Sequence, residues 1–228
     1  MNLFPLGLIS AASSNGTIES VSYSMFEPNK MCKSSPVFNI LTTVFQDQTM
    51  LSRKKSEPFL KTTYEYDDIW NYEYRQIEHF IDAIGEDALN SFYMVAWDRG
   101  ITPSGVANSG GDWIVSVDNT RFFSSIQHQK SNRGLLWDGL NWKEGQVLSV
   151  SANTSVTLNI DALNYGNLSL ASAVSSGVLY PMYEVRMGPN ALSNFKSTVF
   201  VPNIDIDTDS RGGWMFSGSI VFMSKFKV

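Results

Sequence analysis

A single cysteine, Cys32, among 228 residues leaves the chain without an internal disulfide and without a cysteine-based zinc site. Its expected place is a small buried or half-buried position. The chain therefore suits a reducing compartment, or is indifferent to redox. Histidine is almost as scarce. His79 falls beside the apolar stripe of a predicted helix, and His128 lies in the polar run Gln127-His128-Gln129-Lys130, so neither reads as catalytic. No HExxH, Gly-X-Ser-X-Gly or phosphate-cradling glycine loop before a helix occurs. Charged residues make up only 17%, the net charge is −5, and no basic block exists. That argues against sequence-independent nucleic-acid binding, which needs Lys and Arg to neutralise phosphates. A mildly acidic wall is still compatible with nucleic acid sliding past without sticking. No window is long and apolar enough to span a membrane. Met1 to Ser14 lacks a positive leading region and is broken by Pro5 and Gly7, so it reads as an N-terminal strand or arm rather than a signal peptide.

What is present is 43% hydrophobic and 13% aromatic residues, enough to fill a core without staples. Ser, Asn, Thr and Gly supply polarity in place of charge, a profile that suits exposed strands, turns and large subunit interfaces. One stretch has helical period. Trp70, Tyr74, Ile77, Ile81 and Ile84 recur at spacings of four and three, with Phe80 widening the stripe. Asp67 or Asp68 is placed to cap its N-terminus and Gly85 to end it, which predicts one helix over about 68–84.

Nearly everything else reads as strand. Val37 to Phe45 and Phe59 to Tyr66 are β-branched or aromatic. The segment between them, Gln46 to Pro58, is expected to be a solvated basic loop containing Arg53, Lys54 and Lys55. Ser91 to Trp97 is apolar on both faces and so is expected to be buried on both. Asp98 to Asp112 reads as a long loop or a seam between two units. Asp138-Gly139 between Trp137 and Trp142 signals a two-residue hairpin. Further strands are expected at Trp113 to Val117, Gln146 to Ser151, Ser155 to Ile160, Leu168 to Ala173, Val178 to Met187, Lys196 to Asp207 and Trp214 to Phe222, with Phe122 to Gln127 a weaker candidate. With no second helix to cross over parallel strands, the sheet is mostly antiparallel. The expected fold is mainly β: an antiparallel sandwich or barrel with one flanking helix and an additional or inserted β-rich region.

Two groups carry candidate chemistry. Asp205, Asp207 and Asp209 share one face of an extended strand and offer oxygen ligands of the kind calcium takes. The plainer reading is the solvent face of an edge strand. Trp113, Trp137 and Trp142 are candidate surface aromatics for a sugar, whose apolar ring face stacks on indoles. The competing reading is cross-strand and core packing. No catalytic, cofactor-binding or metal-ligating set is expected.

The order of features resembles a known family. Arg53 lies in a polar basic segment, Pro58 and Phe59 open a strand, Ile77, Phe80 and Ile81 lie on a helix closed by Gly85, and Phe92, Trp97 and Asp98 follow in an aromatic strand. This is similar to the minor tail and distal tail proteins of long-tailed bacteriophages, and Gly213 to Phe226 resembles that family's closing strand. The resemblance covers roughly residues 37–100 and the final strands. It implies a β-sandwich or barrel flanked by a helix, built from 1–98 plus about 196–228, with 99–195 an inserted peripheral β-rich domain. It also implies a non-enzymatic virion protein, made in the host cytoplasm. Such a protein forms a hexameric ring at the distal end of the tail tube, joins other tube and baseplate proteins, and lets the genome pass its lumen without specific binding. Arg53, Lys54, Lys55, Asp98 and Arg99 are then candidate assembly contacts, in the loops expected at Gln46–Lys55 and Asp98–Asp112. The alternative is a carbohydrate- or receptor-binding β-sandwich module.

Overall fold

The computed structural model describes residues 28–37, 40–44, 50–54, 59–71, 73–75, 77–78, 92–126, 130–165, 167–187, 192–201 and 213–227. The expectations for Met1–Ser14, Lys55, His79, the helix beyond residue 78, His128 and Asp205, Asp207 and Asp209 lie outside these.

Thirteen strands are described: β1 Met31–Val37, β2 Ile40–Val44, β3 Met50–Lys54, β4 Phe59–Trp70, β5 Phe92–Val95, β6 Gly105–Ser109, β7 Asp112–Ser116, β8 Arg133–Trp137, β9 Trp142–Ser151, β10 Ser155–Tyr165, β11 Val178–Met187, β12 Lys196–Val201 and β13 Gly213–Lys227. Eleven form one sheet in the order β1-β4-β13-β11-β8-β9-β10-β7-β6, with β12 beside β13 and β5 beside β11. All these ladders are antiparallel. The protein is thus mainly β, as its short, evenly spaced apolar segments dictate, and the sheet is open rather than closed into a barrel. The hairpin β2–β3 forms a second, two-stranded sheet of its own.

The core has two parts on opposite faces of the main sheet. Successive side chains in a strand point to opposite faces. On β8, Leu135 enters one cluster and Leu136 the other; on β11, Tyr180 enters the first and Leu179 the second. The first cluster draws mainly on Leu60, Tyr64, Tyr66, Phe92, Met94, Ile220 and Phe222, and the second on Trp113, Val115, Val147, Val156 and Leu158. Ile77, in the helical part of 71–78, seals the first face, while Ala173 of the short helix Leu170–Ser175 enters the second. The ladders of β8 with β9 and β11 run without a break between the two regions.

Several local expectations change. The strand before the helix runs on to Trp70, so Asp67 and Asp68 are not a helix cap. They form a bulge: Tyr66 pairs with Gly218 and Ile69 with Phe216, leaving two residues opposite Ser217. Asp68 takes φ 51°, a left-handed conformation that Asp tolerates because its short side chain bonds locally. The helical turn that follows is stapled by Glu73 instead, whose carboxylate accepts the Trp70 N–H at 2.8 Å, as the third-position Glu of a capping box does.

The basic segment expected as a loop contains β3, because pairing with β2 outweighs its modest strand propensity. The expected seam at 98–112 is a 3₁₀ turn, Trp97–Arg99, followed by the hairpin β6–β7, whose turn is made by Gly110 and Gly111 at φ 64° and 99°. The Asp138-Gly139 hairpin exists, but its loop is four residues. Asp138 Oδ1 accepts the N–H groups of Asn141 (2.7 Å) and Leu140 (3.0 Å), and this side-chain turn replaces the two-residue one. Desolvation opposes ionisation of Asp138, but those two donors outweigh it and hold its carboxyl below the ordinary range. Residues 122–126 make no strand, only a bridge from Phe123 to Ser131, and 170–175 is helix where a strand was expected. There Ser169 and Ser172 cap each other reciprocally.

Candidate assembly surface

The residues singled out for assembly fall in two places. Asp98 and Arg99 sit on the 3₁₀ turn behind β5 and are engaged within the fold. Asp98 Oδ2 accepts the backbone N–H of Ser34 (2.6 Å), and Oδ1 accepts the Ser34 hydroxyl (2.8 Å) and the Cys32 thiol (3.5 Å). Ser34 also meets Thr62 across the β1–β4 ladder at 3.0 Å. A carboxylate thus ties down the outer edge of β1. The Arg99 guanidinium donates to the Tyr183 hydroxyl at 3.1 Å and lies over the rings of Phe122 and Tyr183. Arg53 and Lys54 are elsewhere, near the end of β3 in the separate hairpin.

Burial first, then the neighbouring Asp98 carboxylate, pushes the Cys32 thiol up to about 12. The thiolate is the nucleophile, so at pH 8 the folded protein should react with iodoacetamide far more slowly than the urea-unfolded chain. Rapid alkylation of folded protein at pH 8 would contradict this environment. Because the folded value is raised above 9, the thiol's contribution to stability is complete below about pH 9 and is lost as pH rises toward about 12.

Of the three candidate sugar-stacking tryptophans, Trp113 belongs to the interior, and Trp137 and Trp142 are half-buried. Trp113 is 4% exposed in the second core cluster, with Lys143 Nζ 4.5 Å from its ring centre. Trp137 and Trp142 pair across β8–β9, pack against the first cluster and have buried indole nitrogens. Trp137 lies edge-on to Trp97 at 5.7 Å. The aromatic pair that does face solvent was not singled out. Phe200 on β12 and Trp214 on β13 are direct cross-strand partners, 5.3 Å apart, and 55% and 50% exposed. Val199 beside them is 47% exposed. Sequence shows that these positions are apolar strand; it does not show that β13 is the one strand neighbour of β12 among the described residues.

Across β13 from β12 lies the bulge on β4. Asp68 Oδ1 accepts the Thr198 hydroxyl at 2.5 Å, and Ser217 Oγ accepts the Asp68 N–H at 2.8 Å. Asp67 is held by Asn29 through its own N–H (2.8 Å), with Lys30 3.8 Å from its carboxylate. The exposed Asp68 carboxylate therefore reaches over β13 to the middle of β12, while that of Asp67 stays with Ser217 and Lys30. A cleft of about 340 Å³ adjoins them, lined by Lys30, Glu65, Asn194, Lys196 and Ser217. Among the described residues no group of three or more His, Cys, Asp or Glu is placed to hold a metal ion, and no helix is long and apolar enough to cross a membrane.

A scan against protein-family models finds no match to this chain, and a search of curated proteins finds none.

Proposed function

We propose that this chain is a structural, non-enzymatic virion protein of a bacteriophage tail, one subunit of a ring at the distal end of the tail tube that joins tube to baseplate or tip. The observation that supports this reading best is the hairpin β2–β3. It pairs with nothing else among the described residues, and an isolated two-stranded hairpin is at best marginally stable in water. Such an element is completed by a neighbour, as in a subunit built for assembly. The succession strand, helical turn, aromatic strand that carries the resemblance is also the succession β4, 71–78, β5, with Phe92 and Trp97 both in the core. Partners on this reading are other copies of the chain in a hexameric ring, further tail proteins, and a genome that passes without specific contacts.

Light scattering behind a sizing column, with negative-stain images of the same peak, tests it. The expected result is a ring of about six copies with a central hole, the closure of a repeated head-to-tail contact. A monomer at every concentration whose tryptophan fluorescence shifts with glycans would replace it with the second reading, a carbohydrate- or receptor-binding module. The solvent-facing Phe200–Trp214 pair is the observation favouring that alternative.

A further inference from the structure

Strands β1, β4, β13, β11 and β5 are successive neighbours in the main sheet. At about 4.8 Å per step, a flat sheet would hold β4 about 14 Å from β5 and β1 about 19 Å from it. The contacts require something else. The Tyr64 hydroxyl on β4 donates to the Val95 carbonyl on β5. Tyr64 and Phe92 both meet the Phe222 ring, at 4.9 and 5.8 Å. The five strands therefore curl around the first core cluster, with Cys32 of β1 packed against it. The curl brings β1 up to the segment that follows β5.

That segment is fixed to β11. The Ala96 N–H donates to the Pro181 carbonyl at 3.0 Å, and Ile101 and Leu179 exchange two backbone hydrogen bonds of 2.9 and 2.8 Å. Between these anchors the 3₁₀ turn sends three successive side chains in three directions, as three residues per turn dictate. Trp97 enters the core, edge-on to Trp137 at 5.7 Å and to Tyr180 at 5.0 Å. Arg99 reaches the Tyr183 hydroxyl. Asp98 reaches β1. Among the described residues no ladder joins β1 to β5 or to the turn; the Asp98 carboxylate makes the connection, accepting from the Ser34 N–H, the Ser34 hydroxyl and the Cys32 thiol. Because the Ser34 N–H goes to Asp98, it points away from β4. It is therefore a group through which another strand could add to β1. Pro36, two residues on, has no N–H to offer.

We infer that Asp98 is a latch: its carboxylate takes the place of a neighbouring strand's carbonyl and closes the seam between β1 and the turn after β5, and without it the seam opens, baring the β1 edge and the Cys32 thiol. The ladders leave this part of the sheet open, and one side chain shuts it. The inference does not depend on the assembly reading above. It gives Asp98, a candidate assembly contact by resemblance, a task within the fold.

The test compares the full chain with its D98A and D98N variants, their folds verified by circular dichroism. Two quantities are read: hydrogen exchange of the Ser34 amide, and alkylation of Cys32 in the folded protein by iodoacetamide at pH 8. Asparagine keeps an oxygen that can accept from Ser34 but removes the charge beside the thiol. In D98A the Ser34 amide should lose its protection and Cys32 should react about tenfold faster or more. D98N should stay closer to wild type than to D98A in both. A D98N protein that matches D98A overturns the latch, since the charge on the thiol would then be the whole effect. A D98A protein that matches wild type in both readouts overturns it as well. Should D98A fail to fold, the wild type decides. A Ser34 amide exchanging as slowly as those of Lys33 and Ser35, which alternate toward β4, supports the latch; one exchanging freely overturns it.

Discussion

Arg133→Met is expected to destabilise the protein by about 3–5 kcal/mol, the largest loss from any single polar change. Arg133 Nε donates to Glu144 Oε1, and the Glu144 side chain is fully buried on β9. The other oxygen, Oε2, has no hydrogen-bond partner. The guanidinium also lies over the Tyr93 ring, 5.3 Å from its centre. Taking two charges from water is costly, and their mutual attraction does little more than offset that cost. Removing the cation alone leaves the buried carboxylate without its ion-pair partner, beside the fully buried Leu135, its cross-strand neighbour on β8. The reverse change should cost less. After Glu144→Gln, Arg133 keeps the Tyr93 ring and is partly exposed, so water can solvate it. The double variant R133M/E144L should recover most of the loss, since matched apolar groups replace a matched pair. Urea unfolding of the four proteins gives the cycle. If R133M and E144Q fall equally, or the double variant is the least stable, the buried pair is not what organises this layer.

Phe222→Ala should cost about 3–5 kcal/mol for a different reason. Phe222 is fully buried on β13 and meets Tyr64 edge-on at 4.9 Å and Phe92 at 5.8 Å. β4, β13 and β5 thus each contribute a ring to one packed group. Deleting the central ring removes its burial and leaves a cavity that strands held by ladders on both sides cannot close. For a chain of this length that corresponds to a fall in melting temperature of roughly 10 °C. Phe222→Leu keeps most of the volume and should cost far less. A Phe222→Ala protein melting within a degree of wild type would mean this cluster is not a rigid part of the core.

These two sites show what kind of information the chain carries locally. The alternation of Tyr64 and Tyr66 with Thr63, Glu65 and Asp67 is legible from the sequence and correctly predicts a strand with one buried face. The doubly apolar run Phe92 to Trp97 correctly predicts burial on both faces. The partnership of Arg133 with Glu144 is not legible, because it depends on β8 and β9 lying in a register eleven residues apart. Cys32 was expected at a small buried or half-buried position and is half-buried; that Asp98, 66 residues away, would accept a hydrogen bond from its thiol was invisible.

The errors share a physical origin. Asp67-Asp68 before a helical stripe has the local chemistry of a cap, but β13 pairs with this segment and Ser217 meets both residues, so strand pairing wins and the helix starts later. Arg53-Lys54 looks like solvated loop until β2 supplies a ladder. Trp113, Trp137 and Trp142 have the composition of a sugar platform, but Trp113 is buried and Trp137 and Trp142 are half-buried against the first cluster, while Phe200 and Trp214 are the more exposed pair. By itself the sequence determined an antiparallel, mainly β protein with two apolar faces and little charge, because the side-chain period of two and the choice of turn residues act within a few positions. The tertiary structure alone decided which faces and edges stay open. Exposure of a strand depends on how many neighbours it has, and those neighbours come from distant parts of the chain.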